Sequence, residues 1–167
     1  DETNFLEYVH SGQAGGGIIL IRTQTMTGTG LIQSNGDHPL VCVNPICTQP
    51  GEGAGGGGAG GSIALFSNTD ILGSFTVTAR GGNGGSTQDS GDAGAGGGSS
   101  GAVYLVAAET ISTTVISNID ITAGAGGFSS ASPSGGSGAG IVLITSVEQC
   151  CDVDVLQNVE VCGVNET

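Results

Sequence analysis

The sequence contains no lysine, no tryptophan and a single methionine. Arg22 and Arg80 are its two cations, set against 15 acidic residues for a formal net charge of −13. That balance repels polyanions, so neither nucleic acid nor an anionic membrane surface is expected as a partner. Without lysine there is no Schiff-base chemistry and no lysine phosphate clamp. Aromatic side chains number four Phe and two Tyr, which disfavours glycan binding by ring stacking. No apolar run approaches the ~18 residues of a membrane span, so no membrane insertion is expected. No CxxC pair occurs, and His10 and His38 stand outside any ligand cluster, so no zinc site and no cofactor are expected. The chain starts at Asp1 with no methionine and no signal-like segment, and we expect a processed form.

What the chain has in excess is glycine, 34 residues of 167. There is no G-X-Y period and little proline, which excludes collagen. Long apolar runs argue against wholesale disorder. Each ordered glycine costs roughly 0.5–1 kcal/mol relative to alanine. A fold that accepts this many uses the missing Cβ for close backbone approach or for positive φ.

Four times a glycine- or serine-rich run empties into apolar residues: AGGGIILI from residue 14, GGSIALF from 60, SSGAVYLV from 99 and SGAGIVLI from 137. These tetrads define a strand type a at 18–21, 63–66, 103–106 and 141–144. A second type, b, follows at 31–36, 75–82, 119–127 and 159–163. Leu20 and Ile32 are 12 apart, as are Leu65 and Val77; Leu105 and Ile121 are 16 apart, Leu143 and Val161 18 apart. Fixed strand pairs with variable loops, repeating about every 40 residues, mark stacked β-units. Strand b alternates Phe75, Val77 and Ala79 with Thr76, Thr78 and Arg80, so it has one buried and one wet face. Strand a is apolar on both faces, and such a strand is expected to be covered on both sides. The a-to-b linkers carry Thr23, Thr25, Thr27 and Thr29, then Ile71 and Leu72, then residues 111–116 and 153–156, each expected to hold a third short strand. No helix is expected, because glycine interrupts nearly every window.

The predicted fold is therefore all-β: a glycine-rich, solenoid-like stack of about four strand units with long glycine loops, the alternative being a β-sandwich. Residues 1–14 form an N-terminal arm or capping strand, and 15–167 a single repeat domain. The loops at 36–61, 81–98 and 124–140 are too long for ordinary turns. We expect their backbones to pack, either against strand a or leaving that face to another subunit.

Strings suggestive of catalysis do not hold up. The GxGxxG at 51–56 opens a strand, so no helix N-terminus faces a phosphate. GGSSG at 97–101 spells a nucleophile elbow inside a Gly/Ser loop with no histidine beside it. Asn68-Thr69-Asp70 resembles part of a polygalacturonase-type set whose other members are missing. Asp89 with Asp92, and Asp152 with Asp154, could offer oxygens to calcium, but the nonapeptide of calcium-binding β-rolls is absent. The chain is not expected to be an enzyme.

Five cysteines in such a chain favour disulfides and an oxidising compartment. Cys42 with Cys47 would close a loop through Pro45, and Cys162 would pair with Cys150 or Cys151. One sulfur is left, either a free thiol or joined to another chain. Asn165-Glu166-Thr167 is an N-glycosylation sequon, and covalent glycans are expected there.

The alternation of GGGxGGxIxL with GTGxIxxxGG, from Gly15 to about Gly163, resembles the glycine-rich β-solenoid repeats of secreted adhesins and extracellular filament proteins. The resemblance implies a component of a surface or a fibre and carries over no functional residue. The expected role is a structural subunit of an extracellular filament or surface layer, secreted or held at the cell surface. Its partners are copies of itself in a head-to-tail homopolymer. Phe5, Leu6, Tyr8 and Val9 of the arm are the expected subunit contacts. The alternative is an adhesin or ice-binding module, for which the alternating threonines 23, 25, 27 and 29 would be the array.

Overall fold

The computed structural model describes residues 12–39, 54–87, 93–129 and 136–146. Over these residues the protein is all-β. Four six-residue strands, β1 (Ile18–Thr23), β3 (Ser62–Ser67), β5 (Ala102–Ala107) and β7 (Ile141–Ser146), form one parallel sheet in that order. Three shorter strands, β2 (Leu31–Gln33), β4 (Thr76–Thr78) and β6 (Ile119–Asp120), form a second parallel sheet. Along the chain the two sheets receive strands alternately. Met26, Ile71 and Ile111 add a third parallel line of contact as isolated bridges.

The register puts equivalent residues side by side, which explains why the apolar tetrads repeat. Ile19, Ile63, Val103 and Val142 form one row, and Ile21, Leu65, Leu105 and Ile144 the next. Ile32, Val77 and Ile119 face them from the second sheet. Ile63, Leu65, Val77, Val103 and Leu105 are fully buried, with Ile71, Ile111 and Val115 in the same cluster. Each such side chain contributes roughly 1.5–3 kcal/mol by leaving water. β-Branched and leucine side chains suit both the pleat and this in-register packing.

Several sequence expectations change. The four a strands are present and slightly longer than the tetrads. The b strands shrink to two or three residues, although past them Ser34, Gly36, Ala79 and Gly81 still donate to the carbonyls of Thr78, Arg80, Asp120 and Thr122 on the next segment. The fourth, at 159–163, lies outside the described residues. The expected third strand is reduced to single bridges. Residues 111–116 instead lead into a short helix, α1 (Thr113–Ser117). Ser112 caps it, its hydroxyl accepting from the Thr114 N–H at 3.3 Å. Five residues are too few for a helical period to show in sequence.

Strand a is not covered on both sides by the glycine segments. Its inner face is buried, but Leu20 is 69% exposed, Ile18 85% and Ile141 58%. Strand b behaves as expected at Phe75, Val77 and Ala79, which are buried. Thr78, expected to be wet, is buried as well, and its hydroxyl has no hydrogen-bond partner among the described residues.

Candidate functional site: an open strand edge beside a glycine layer

The glycine segments bond to one another in a pattern that repeats every third residue. After β4, Gly81, Gly84 and Thr87 donate to the carbonyls of Thr122, Ala125 and Phe128 in the segment after β6. Gly82 and Gly85 instead face the segment that precedes β3, donating to Gly58 and Gly55 at 2.8 and 2.9 Å. On their other side the carbonyls of Gly82 and Gly85 accept from Gly98 and Ala95, ahead of β5. The third class of residue reaches across with side chains. Arg80 N–H donates to Asn35 Oδ1, Asn83 N–H to His38 Nδ1, Ala125 N–H to Asn83 Oδ1 and Phe128 N–H to Ser86 Oγ.

Three bonding directions taken in rotation correspond to three residues per turn, the repeat of a polyproline II-type helix, which leaves every N–H free for a neighbour. The segments before and after the strands thus knit together as a layer of backbone. Side chains are excluded from it: a Cβ on Gly58 would fall on the Ala14 carbonyl oxygen, one on Gly98 on that of Gly58, and one on Gly124 on that of Gly82. A signal for this was present in the sequence. Residues 80–86 read RGGNGGS, a local period of three in which the third class carries the side chains. Gly73 is a separate case, with φ 104° and Gly28 pressed against the face where a Cβ would stand.

Beside this layer, the sheet β1-β3-β5-β7 ends in β1. Sheet order gives β1 one strand neighbour, β3, so its other edge is unpaired among the described residues. On the outward face Leu20, Ala64, Tyr104 and Leu143 align in an apolar row, and Arg22, Phe66, Val106 and Thr145 form the next. An open groove lined by residues 15–19 and 33–38 lies where the first strands and the first glycine segments meet.

Among the described residues, Arg80 and Asp120 form an ion pair. Arg80 Nε donates to Asp120 Oδ2 at 2.8 Å and Nη2 contacts the same oxygen. Asp120 Oδ1 accepts from the hydroxyl and the backbone N–H of Thr122, at 2.6 and 2.9 Å. These bonds, that of Arg80 foremost and those of Thr122 next, hold the carboxyl at about 2 against an ordinary 3.8. All four of its principal contacts are accounted for, and the arrangement clips neighbouring strands together.

The remaining candidate residues separate into two groups. Asn68-Thr69-Asp70 turns a corner after β3: Asn68 bonds Gln24 Oε1, Thr69 Oγ1 bonds the Gln24 carbonyl, and Asp70 Oδ1 accepts from Thr110 N–H. The neighbouring segments do not repeat the threonine row in register. Thr23 ends β1, its hydroxyl donating to the Thr25 carbonyl, and Thr25 pairs with Thr69 at 2.7 Å, while Leu72 and Ser112 follow on neighbouring segments. Phe5, Leu6, Tyr8, Val9, His10, Cys42, Cys47, Cys150, Cys151, Cys162 and Asn165 lie outside the described residues, as do Asp89, Asp92, Asp152 and Asp154. Among the described residues no cluster of three or more His, Cys, Asp or Glu could hold a metal. No helix among them is long and apolar enough to cross a membrane.

Comparison with protein families, with characterised proteins and with solved structures finds no match.

Proposed function

We propose that this chain is a glycine-rich β-solenoid and a structural subunit of an extracellular filament or surface layer. In this reading, β1 with β2, β3 with β4 and β5 with β6 are successive coils, and β7 opens a fourth. The in-register parallel pairing and the alternation of strands between two sheets support the coil reading. The observation that carries the functional reading is the β1 edge, unpaired among the described residues, with Ile18 and Leu20 exposed on that strand. A flat apolar strand edge of this kind takes up another strand unless it is blocked.

The donor is the N-terminal arm of a second copy, through Phe5, Leu6, Tyr8 and Val9. When each copy donates its arm to a different neighbour instead of exchanging arms with one partner, the contact does not close, so it builds a linear polymer. Secretion, disulfides among Cys42, Cys47, Cys151 and Cys162, and a glycan on Asn165 belong to the same proposal. Removing residues 1–12 tests it: the truncated chain should be a soluble monomer under conditions where the full chain forms filaments. Fibres from the truncated chain would rule out the arm.

A further inference from the structure

The outward face of the four-stranded sheet differs in charge from the chain as a whole. Each of β1, β3, β5 and β7 sends three side chains outward, and none is a carboxylate, in a chain of net charge −13. The acids among the described residues stand elsewhere: Asp37 follows β2, Asp70 and Glu109 follow β3 and β5, and Asp120 lies on β6. The one cation of the face, Arg22, is at its corner, on the last outward position of β1. The rest is mainly apolar, with Ile18, Leu20 and Ile141 exposed and Phe66, Tyr104 and Val106 half-buried. Parallel sheets are as a rule covered on both faces, and the glycine segments bond to one another instead.

We infer that this face packs against the same face of a second copy, so that filaments associate side by side through their four-stranded sheets. Copies that each carry 13 net negative charges repel. They meet with least repulsion where neither presents a carboxylate. The chain's own ends are poor covers by the same criterion: residues 147–167 carry five acids and residues 1–11 carry three. Arg22 at the corner stays in the wet rim of such a contact.

The size of the face decides when it pairs. Six residues at about 3.3 Å along the strands and four strands at about 4.8 Å apart give roughly 400 Å² per copy. Two single copies together cover about 800 Å², below the roughly 1,200 Å² of a stable complex. Along a filament the faces succeed one another and each copy adds its own area, so two filaments hold where two single copies barely do. Side-by-side pairing therefore follows end-to-end growth. This last step rests on the proposed head-to-tail reading, whereas the weak pairing of single copies does not.

The test uses the full chain, its Tyr104→Glu and Ile141→Glu variants, and a Phe5→Asp/Leu6→Asp variant in which the arm is blocked. Ile141 is exposed, so its variant folds even if the one at Tyr104 does not. In sedimentation equilibrium the arm-blocked protein should dimerise near millimolar concentration. The dimer should tighten as NaCl rises from about 0.05 to about 0.5 M, because salt screens the repulsion. Adding either face substitution should weaken it by about tenfold or more. In electron microscopy the wild type should form filaments two copies wide, and the face variants filaments one copy wide with the same axial repeat. Dimers that loosen with salt, or dimers that neither face substitution touches, would overturn the inference. So would an arm-blocked monomer at every concentration together with wild-type filaments one copy wide. A monomer that Tyr104→Glu and Ile141→Glu both strongly destabilise would identify the cover as a segment of the same chain, such as residues 40–53, and would overturn it too. Face-dependent dimers of the wild type without filaments would support the pairing and sink the head-to-tail reading.

Discussion

Gly98 lies so close to Gly58 that a Cβ on Gly98 would fall on the Gly58 carbonyl oxygen, while the Gly98 N–H donates to Gly82 at 2.8 Å. One residue is thus held by contacts to two different segments, and both contacts are to backbone. Backbone cannot rotate away as a side chain can.

Gly98→Ala should therefore cost about 3 kcal/mol or more, at the upper end of overpacking effects. Gly56→Ala is the control, since its Cβ would meet the Gly96 oxygen at an ordinary 3.7 Å. It should lie within about 1 kcal/mol of the wild type, helped by a less flexible unfolded chain. Urea unfolding of both variants measures the difference. Equal effects would mean that the layer is not close-packed.

Leu65→Ala should destabilise by about 2–5 kcal/mol, because Leu65 is fully buried, flanked in its row by Ile21 and Leu105. Leu20→Lys, one strand away on the exposed face, should change stability by no more than about 0.5 kcal/mol. Under the proposed function the same Leu20→Lys change abolishes end-to-end association, since a charge on a strand edge blocks pairing. Sedimentation velocity reads the second effect and denaturant unfolding the first.

Thr78→Val should stabilise by about 1 kcal/mol. Its buried hydroxyl has no hydrogen-bond partner among the described residues, and valine keeps the shape while removing the unmet group. A loss of stability would reveal a partner for the hydroxyl.

Asp120 sets an acid limit. Its folded value near 2 lies below the ordinary 3.8, so the ionised form is the one the fold favours. That stability is complete above about pH 4 and is lost as pH falls from 4 toward 2. The side chains of Arg80 and Asp120 are 54% and 30% exposed, so solvent screening reduces the contribution to the order of 1 kcal/mol. Asp120→Asn should remove most of this acid dependence, seen as a flatter unfolding midpoint between pH 4 and 2.

Much of the sheet was legible in the sequence because in-register strands repeat their composition. IILI, IALF, VYLV and IVLI become neighbours, and the buried alternation of Phe75, Val77 and Ala79 is visible in the string itself. The limits of the b strands were not legible. Glycine looks the same whether it extends a sheet or leaves it, and only the third-residue side chains Asn35, His38, Asn83 and Ser86 distinguish the two. The apolar outer face of strand a was legible as apolar, but whether the glycine segments cover it depends on where they bond. They bond to each other.

Electron microscopy of the purified full chain, with image averaging along any filament, tests the proposed head-to-tail polymer most directly. Four strands of β1-β3-β5-β7 and one donated strand, at about 4.8 Å each, give an axial repeat of about 24 Å. Linear filaments of constant width with that repeat are the predicted result. Discrete particles at every concentration would contradict the proposal.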